Sequence, residues 1–150
     1  MLIHLICLGK LKDISLEAIE NDYLKRLTSL KLKIIELKAQ AQNPEKEGMD
    51  VWDKIQNLNL KSPYIVLLDE KGSQMPSVDF SKWIFDKMSQ AKQLVFVLGG
   101  AEGHAEFIRN KAQEKLSLSK LTFPHKLARI IMVEQIYRAM TIEQGHPYHN

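Results

Sequence analysis

Apolar residues along this chain alternate between unbroken runs and a spacing of three to four, the marks of buried strands and amphipathic helices. Leu2 to Leu8 is an apolar run that stops at Gly9, which predicts a first buried strand. From Ser15 onward, Leu16, Ile19, Tyr23, Leu27 and Leu30 recur at helical spacing. Ser15 is the expected N-cap, and Glu17 falls in the first turn. Lys31 to Leu37 predicts a second strand. The polar stretch 38–48, containing Pro44 and Gly48, reads as the most mobile loop, followed by a weaker helix over 49–58.

The same alternation continues to the end of the chain. Tyr64 to Leu68 predicts a third strand, closed by "DEKGSQMP". A helix over 78–91 offers Val78, Trp83, Phe85 and Met88 for burial, and Leu94 to Leu98 is a fourth strand. A helix over 105–115, a short apolar stretch "LSLSKLTF" and a last helix over 125–142 complete the order. This order of strands and helices predicts an α/β fold with a mostly parallel sheet flanked by helices, in one domain spanning 1–150.

Composition narrows the classes. With 150 residues the chain can bury about 70% of its unfolded surface, enough for a core without staples. No apolar run approaches the ~20 residues of a membrane span, so no membrane partner is expected. The first residues place apolar side chains before lysines, the reverse of a secretory signal. A lone cysteine, Cys7, excludes an internal disulfide and suits a reducing, cytoplasmic setting. The net charge of +3 is compatible with an RNA surface without requiring one. Among the five histidines none forms a helical i, i+4 pair, and no metal site is expected.

The segment "VFVLGGAEGHAEF" ends an apolar strand in three glycines within five residues. Either this is a plain glycine turn or a ligand approaches the bare backbone there. Two phosphate motifs are excluded: the glycines do not spell G-x-G-x-x-G after a first strand, and no Gly-Lys-Ser/Thr triplet exists. "SLSKLTFPH" mixes apolar side chains with small hydroxyls before Pro124, as a loop around an aromatic base or as an edge strand and turn. In the last helix Leu127, Ile130, Ile131, Met132, Val133, Ile136, Tyr137 and Met140 occupy nearly the whole circumference. Such a helix is buried, often against a second chain. Within it Glu134 and Arg138 form an i, i+4 pair, and Arg129 is paired at an interface, aimed into a site, or snorkelling to solvent. The tail His146-Pro147-Tyr148-His149 crowds imidazoles and a phenol, groups that move protons near neutral pH.

"LGKLKD", "LGGAEG", "LSLSKLTFPHKLARIIMVEQIYRA" and the final "HPYH" together resemble the small bacterial SPOUT-class methyltransferases of 23S ribosomal RNA, the large subunit methyltransferase H family. The resemblance covers the whole chain in order and length, and is least marked over 38–61. It implies a SPOUT-type fold with a C-terminal trefoil knot, against the general rule that chains are unknotted. It also implies a homodimer built around that knot, S-adenosyl-L-methionine as methyl donor, and methylation of N3 of a pseudouridine in the large ribosomal subunit. The family's cofactor pocket falls on Leu68, Gly99, Leu118, Ser119, Lys120, Leu121, Thr122 and Phe123. Arg129, His146, Tyr148 and His149 are then the expected catalytic groups, the tail closing over the nucleotide from its own or the partner subunit. Lys10 and Lys12 are expected to meet RNA phosphates. Two other readings stand beside this one: a ribosome-binding protein that retains the pocket without catalysis, and a flavodoxin-like enzyme. The latter needs an anion-binding loop where "LGKLKD" offers one glycine.

Overall fold

In the computed structural model, which describes residues 1–150, five parallel strands form one sheet in the order β2-β1-β4-β3-β5. The strands are β1 (Leu2–Leu8), β2 (Lys31–Leu37), β3 (Pro63–Ser73), β4 (Gln93–Leu98) and β5 (Glu114–Leu116). The helices are α1 (Ile14–Arg26), α2 (Pro44–Asn57), α3 (Ser77–Ser89), α4 (Glu106–Lys111) and α5 (His125–Glu143). Successive strand residues face opposite sides, so each strand supplies two cores. Ile3, Leu5, Phe96 and Leu98 pack toward Ile84 of α3 and Met132, Val133 and Ile136 of α5. Ile6, Leu8, Val95 and Val97 pack toward Val51 and Ile55 of α2 and Ile108 of α4. The outcome is the expected α/β architecture, a parallel sheet flanked by helices.

Several local expectations are corrected. Asp13, not Ser15, caps α1, its Oδ1 accepting the Leu16 N–H at 3.0 Å. The helix stops at Arg26, so Leu27 and Leu30 are buried from the turn that follows rather than from a helical face. The stretch read as a mobile loop contains the first turn of α2. Asn43 caps it by accepting from the Lys46 N–H, Pro44 occupies the first turn, and Glu47 and Gly48 are buried. On α3 the buried residues are Phe80, Ser81 and Ile84, a face turned from the expected one; Val78 is exposed, while Trp83, Phe85 and Met88 pack at the core's edge.

The region after β4 differs most. The helix expected over 105–115 ends at Lys111, and Glu114–Leu116 instead forms β5 beside β3. β3 itself runs past Leu68 to Ser73, with an irregularity that lets both Leu68 and Ser73 pair with Leu116. Such a bulge re-aims the residues inside it. Gly72 makes it possible, because a Cβ there would lie 2.7 Å from the Lys115 backbone carbon.

Candidate active site

The carboxyl ends of β3 and β4, the loop 117–124 and the start of α5 enclose a cavity of about 620 Å3. This is where open α/β sheets bind ligands, and the volume lies within the usual range of small-molecule sites. Seven of the eight residues expected to hold the cofactor line it: Leu68, Gly99, Leu118, Ser119, Leu121, Thr122 and Phe123. Lys120 does not; it is exposed within the same loop.

The loop keeps its shape with its own hydroxyls. Ser117 Oγ donates to the Ser119 carbonyl at 2.9 Å, and Ser119 Oγ accepts the Leu121 N–H at 3.0 Å. Thr122 Oγ1 donates to Glu70 Oε2 at 2.6 Å, joining the loop to the bulged end of β3. With the hydroxyls engaged this way, the apolar side chains of Leu118 and Phe123 pack against the main core while still lining the cavity. The wall therefore combines apolar surface with main-chain groups, as a site for a flat heteroaromatic ring requires.

Other lining residues were not anticipated from sequence. Glu70 and Lys71 reach the cavity because β3 continues through its bulge, and Arg109 because α4 is short and packs beside it. The half-exposed Arg109 stands 3.8 Å from the mostly buried Asp69, a long contact of little energetic weight. His104 is the most consequential omission. Its Nε2 lies 2.9 Å from the Leu68 carbonyl oxygen, and since a carbonyl only accepts, Nε2 carries the proton. Burial pushes this imidazole below its usual pKa, outweighing the Leu68 hydrogen bond and the Asp69 charge that raise it. His104 is therefore neutral at pH 7.

The glycines of the turn are required for two different physical reasons. Gly103 adopts a positive φ of 76°, but Gly99 and Gly100 do not. Their lack of a Cβ matters instead: a Cβ on Gly99 would lie 2.9 Å from the His104 ring, and one on Gly100 would lie 2.8 Å from Glu47 Oε1.

Arg129 is not directed at the cavity. Its Nε and Nη2 donate to the two oxygens of Glu20 at 2.7 and 2.9 Å, and its Nη1 to Glu36 Oε2 at 2.7 Å. Its side chain is only 7% exposed. Burial opposes the charge, but the two carboxylates outweigh it and raise the Arg129 pKa. The pairing lies within a single chain rather than at an interface, and the guanidinium neither enters the cavity nor reaches out to solvent. Each of the three nitrogens is engaged by a carboxylate and Arg129 does not line the cavity, so only its two remaining N–H groups are left for a base or a phosphate. Glu36 also accepts the Leu11 N–H at 3.0 Å, so this cluster fixes the loop that presents Lys10 and Lys12.

The tail lies on the opposite part of α5. Tyr148 donates to Glu134 Oε1 at 3.0 Å and stands 3.3 Å from the Tyr23 hydroxyl, with its ring edge-on to Tyr137. Burial first, then the hydrogen bonds with Tyr23 and Glu134, raise the Tyr148 phenol above its usual pKa. His149 Nδ1 accepts from Arg138 Nη1 at 3.0 Å. His146 is exposed, its Nδ1 accepting the Tyr148 N–H at 3.1 Å. None of the three lines the cavity. Glu134 and Arg138 lie roughly 9 to 15 Å along the helix from Ala128, a cavity residue, at 1.5 Å per residue.

Comparison with known proteins decides the family. The family model described as "Predicted SPOUT methyltransferase" matches residues 1–149. This chain belongs to the SPOUT methyltransferases. Relatives named "Ribosomal RNA large subunit methyltransferase H" include one from Parabacteroides distasonis, 42% identical over all of this chain and 99% of its own. Another from Christiangramia forsetii is 39% identical with the same coverage. A third from Phocaeicola vulgatus is 45% identical over 87% of each chain. The SPOUT family accounts for the α/β sheet and makes this chain a methyltransferase, so the flavodoxin-like reading is set aside. No helix is long and apolar enough to cross a membrane, and no group of three or more His, Cys, Asp and Glu side chains is placed to hold a metal.

Proposed function

We propose that this chain is an S-adenosyl-L-methionine-dependent methyltransferase acting on N3 of a pseudouridine in large-subunit ribosomal RNA, on the assembled ribosome. The observation that carries the reading is the meeting of Leu68, Gly99 and residues 118–123, three distant segments, around one cavity in a chain of this family. The whole span 1–150 acts as one domain, and the trefoil knot implied by the family would be made where 117–124 leads into α5. The names of the end-to-end relatives supply the class of substrate.

The residues fit the donor. Leu68, Leu118 and Phe123 offer apolar walls for an adenine, and main-chain groups near Leu118 to Phe123 read its edge. The donor supplies an already activated sulfonium methyl, so no covalent protein intermediate is needed. What remains for the protein is to align N3 with that methyl and to accept one imide proton. In a single chain His146, Tyr148 and His149 stand apart from the cavity, so they serve it from a partner subunit. With Nδ1 accepting from Arg138, His149 Nε2 bears the hydrogen and can orient the base as a donor; the ring takes the imide proton itself only once Arg138 releases Nδ1.

Homodimerisation is supported by α5, which leaves Leu127 exposed and Ile130 and Ile131 half-buried. Lys10 and Lys12 flank the buried Leu11 and offer charges to RNA phosphates. The test is methyl transfer from labelled S-adenosylmethionine to ribosomes lacking the modification, with nucleoside analysis. Label in N3-methylpseudouridine supports the reading. Ribosome binding without transfer favours a non-catalytic ribosome-binding protein instead.

A further inference from the structure

The sequence left open that a ligand lies against the bare backbone at Gly99, which lines the donor cavity of the proposed function. The structure provides another occupant of that space. A Cβ on Gly99 would lie 2.9 Å from Cε1, 3.1 Å from Nδ1 and 3.2 Å from Nε2 of His104. Real Cβ contacts do not approach so closely, and an imidazole held by a hydrogen bond has little room to retreat. The same ring donates from Nε2 to the Leu68 carbonyl at 2.9 Å. One side chain thus touches the end of β4 at Gly99 and fastens the end of β3 at Leu68. Both strand ends belong to the cavity wall, as does His104 itself.

We propose that His104 is a positioning residue for the methyl donor, its imidazole wedged over Gly99 and bonded to Leu68 so that the two strand ends are set at the spacing the donor meets. This rests on the donor-binding reading and changes the reason for Gly99: the glycine makes room for the histidine, and the histidine shapes the pocket. The residue acts through Leu68 and Gly99 rather than on the reacting atoms. A neutral ring is all the role needs, since one N–H directed at one carbonyl does the work.

The test is calorimetric titration with S-adenosylhomocysteine of the wild type and of His104→Leu, His104→Gln, Gly99→Ala, His104→Ala and Gly99→Ala/His104→Ala. Thermal melts confirm that each variant is folded. Leucine keeps apolar bulk but lacks the donor, so affinity should fall about fivefold, the loss of one ordinary hydrogen bond. Glutamine restores an N–H and should recover affinity to within about twofold. Gly99→Ala should weaken binding in the wild type yet add little on the His104→Ala background, because the obstructing ring is gone.

Equal weakening by Gly99→Ala in both backgrounds would mean that the donor itself requires the glycine, and would overturn the inference. So would His104→Leu binding as tightly as wild type. In either case unimpaired wild-type binding leaves the donor pocket standing. A wild type that binds no S-adenosylhomocysteine removes the pocket and the inference together.

Discussion

Glu47 Oε1 lies 2.8 Å from where a Cβ on Gly100 would stand. The carboxylate is held there by the Gln40 N–H, which donates to Glu47 Oε2 at 2.9 Å. The glycine turn is thereby clasped by α2, as it is clasped on its other side by His104. Gly100→Ala should lower stability by about 1–3 kcal/mol through overpacking, read by urea unfolding. Combined with Glu47→Ala, the same substitution should cost less than half as much. An equal cost in both backgrounds would show that the turn is constrained by something other than Glu47.

Gly72 is the stricter case, because its neighbours are backbone. A Cβ there meets Lys115 and Leu116 main-chain atoms at 2.7 and 2.8 Å, which no rotamer change relieves. Gly72→Ala should therefore be the most destabilising glycine substitution in this region. It should also release β5 and the loop that follows, visible as faster amide exchange at Leu116 and Ser117. Unchanged exchange there would contradict the tight approach of β3 and β5.

Arg129 neutralises Glu20, whose side chain is 8% exposed, and reaches Glu36 at the sheet edge. Removing it strands a buried carboxylate, so Arg129→Met should cost about 3–5 kcal/mol. Lysine cannot reproduce the two-pronged contact with Glu20 plus the third bond, and Arg129→Lys should fall well short of rescue. If Arg129→Met unfolds at the wild-type urea concentration, the cluster contributes no stability.

The same cluster gives a pH dependence. Burial tends to raise the Glu36 pKa, but the hydrogen bonds from Arg129 and Leu11 outweigh it and hold the carboxyl below its ordinary 4.5. A depressed carboxyl contributes stability that is complete above its unfolded value and is lost as pH falls through its folded value. The wild type should thus lose stability below pH 4.5, with a shallower fall in Arg129→Met. Parallel acid-unfolding curves for the two proteins would contradict this coupling.

Tail and donor cavity are separate within one chain, which makes a clean division of effects. Truncation after Gly145 should leave S-adenosylhomocysteine affinity within about twofold while slowing single-turnover methylation about a hundredfold or more, the usual scale of acid–base contributions. His149→Ala alone should reproduce much of that loss. Wild-type rates in both would remove the tail from the chemistry.

The sheet was legible because its first four strands are short apolar runs ended by polar or glycine residues, and β1 and β2 match their expected bounds. β5 was not, because three residues of which one is buried carry no periodicity. The start of α2 had a readable signal, Asn43 followed by Pro44 with Glu45 and Glu47 in the first turn, but overall polarity masked it. The cavity loop followed from its sequence resemblance to a known family. His104 and Glu47 could not be found that way: their contacts with Gly99 and Gly100 exist only once the turn is folded, and nothing in their spacing marks them.

The most direct measurement is titration of the 15N-labelled protein with S-adenosylhomocysteine, followed by amide shifts. The account predicts the largest changes at Leu68, Gly99 and residues 118–123. Binding that shifts other residues and leaves these unmoved, or no binding at all, would contradict it.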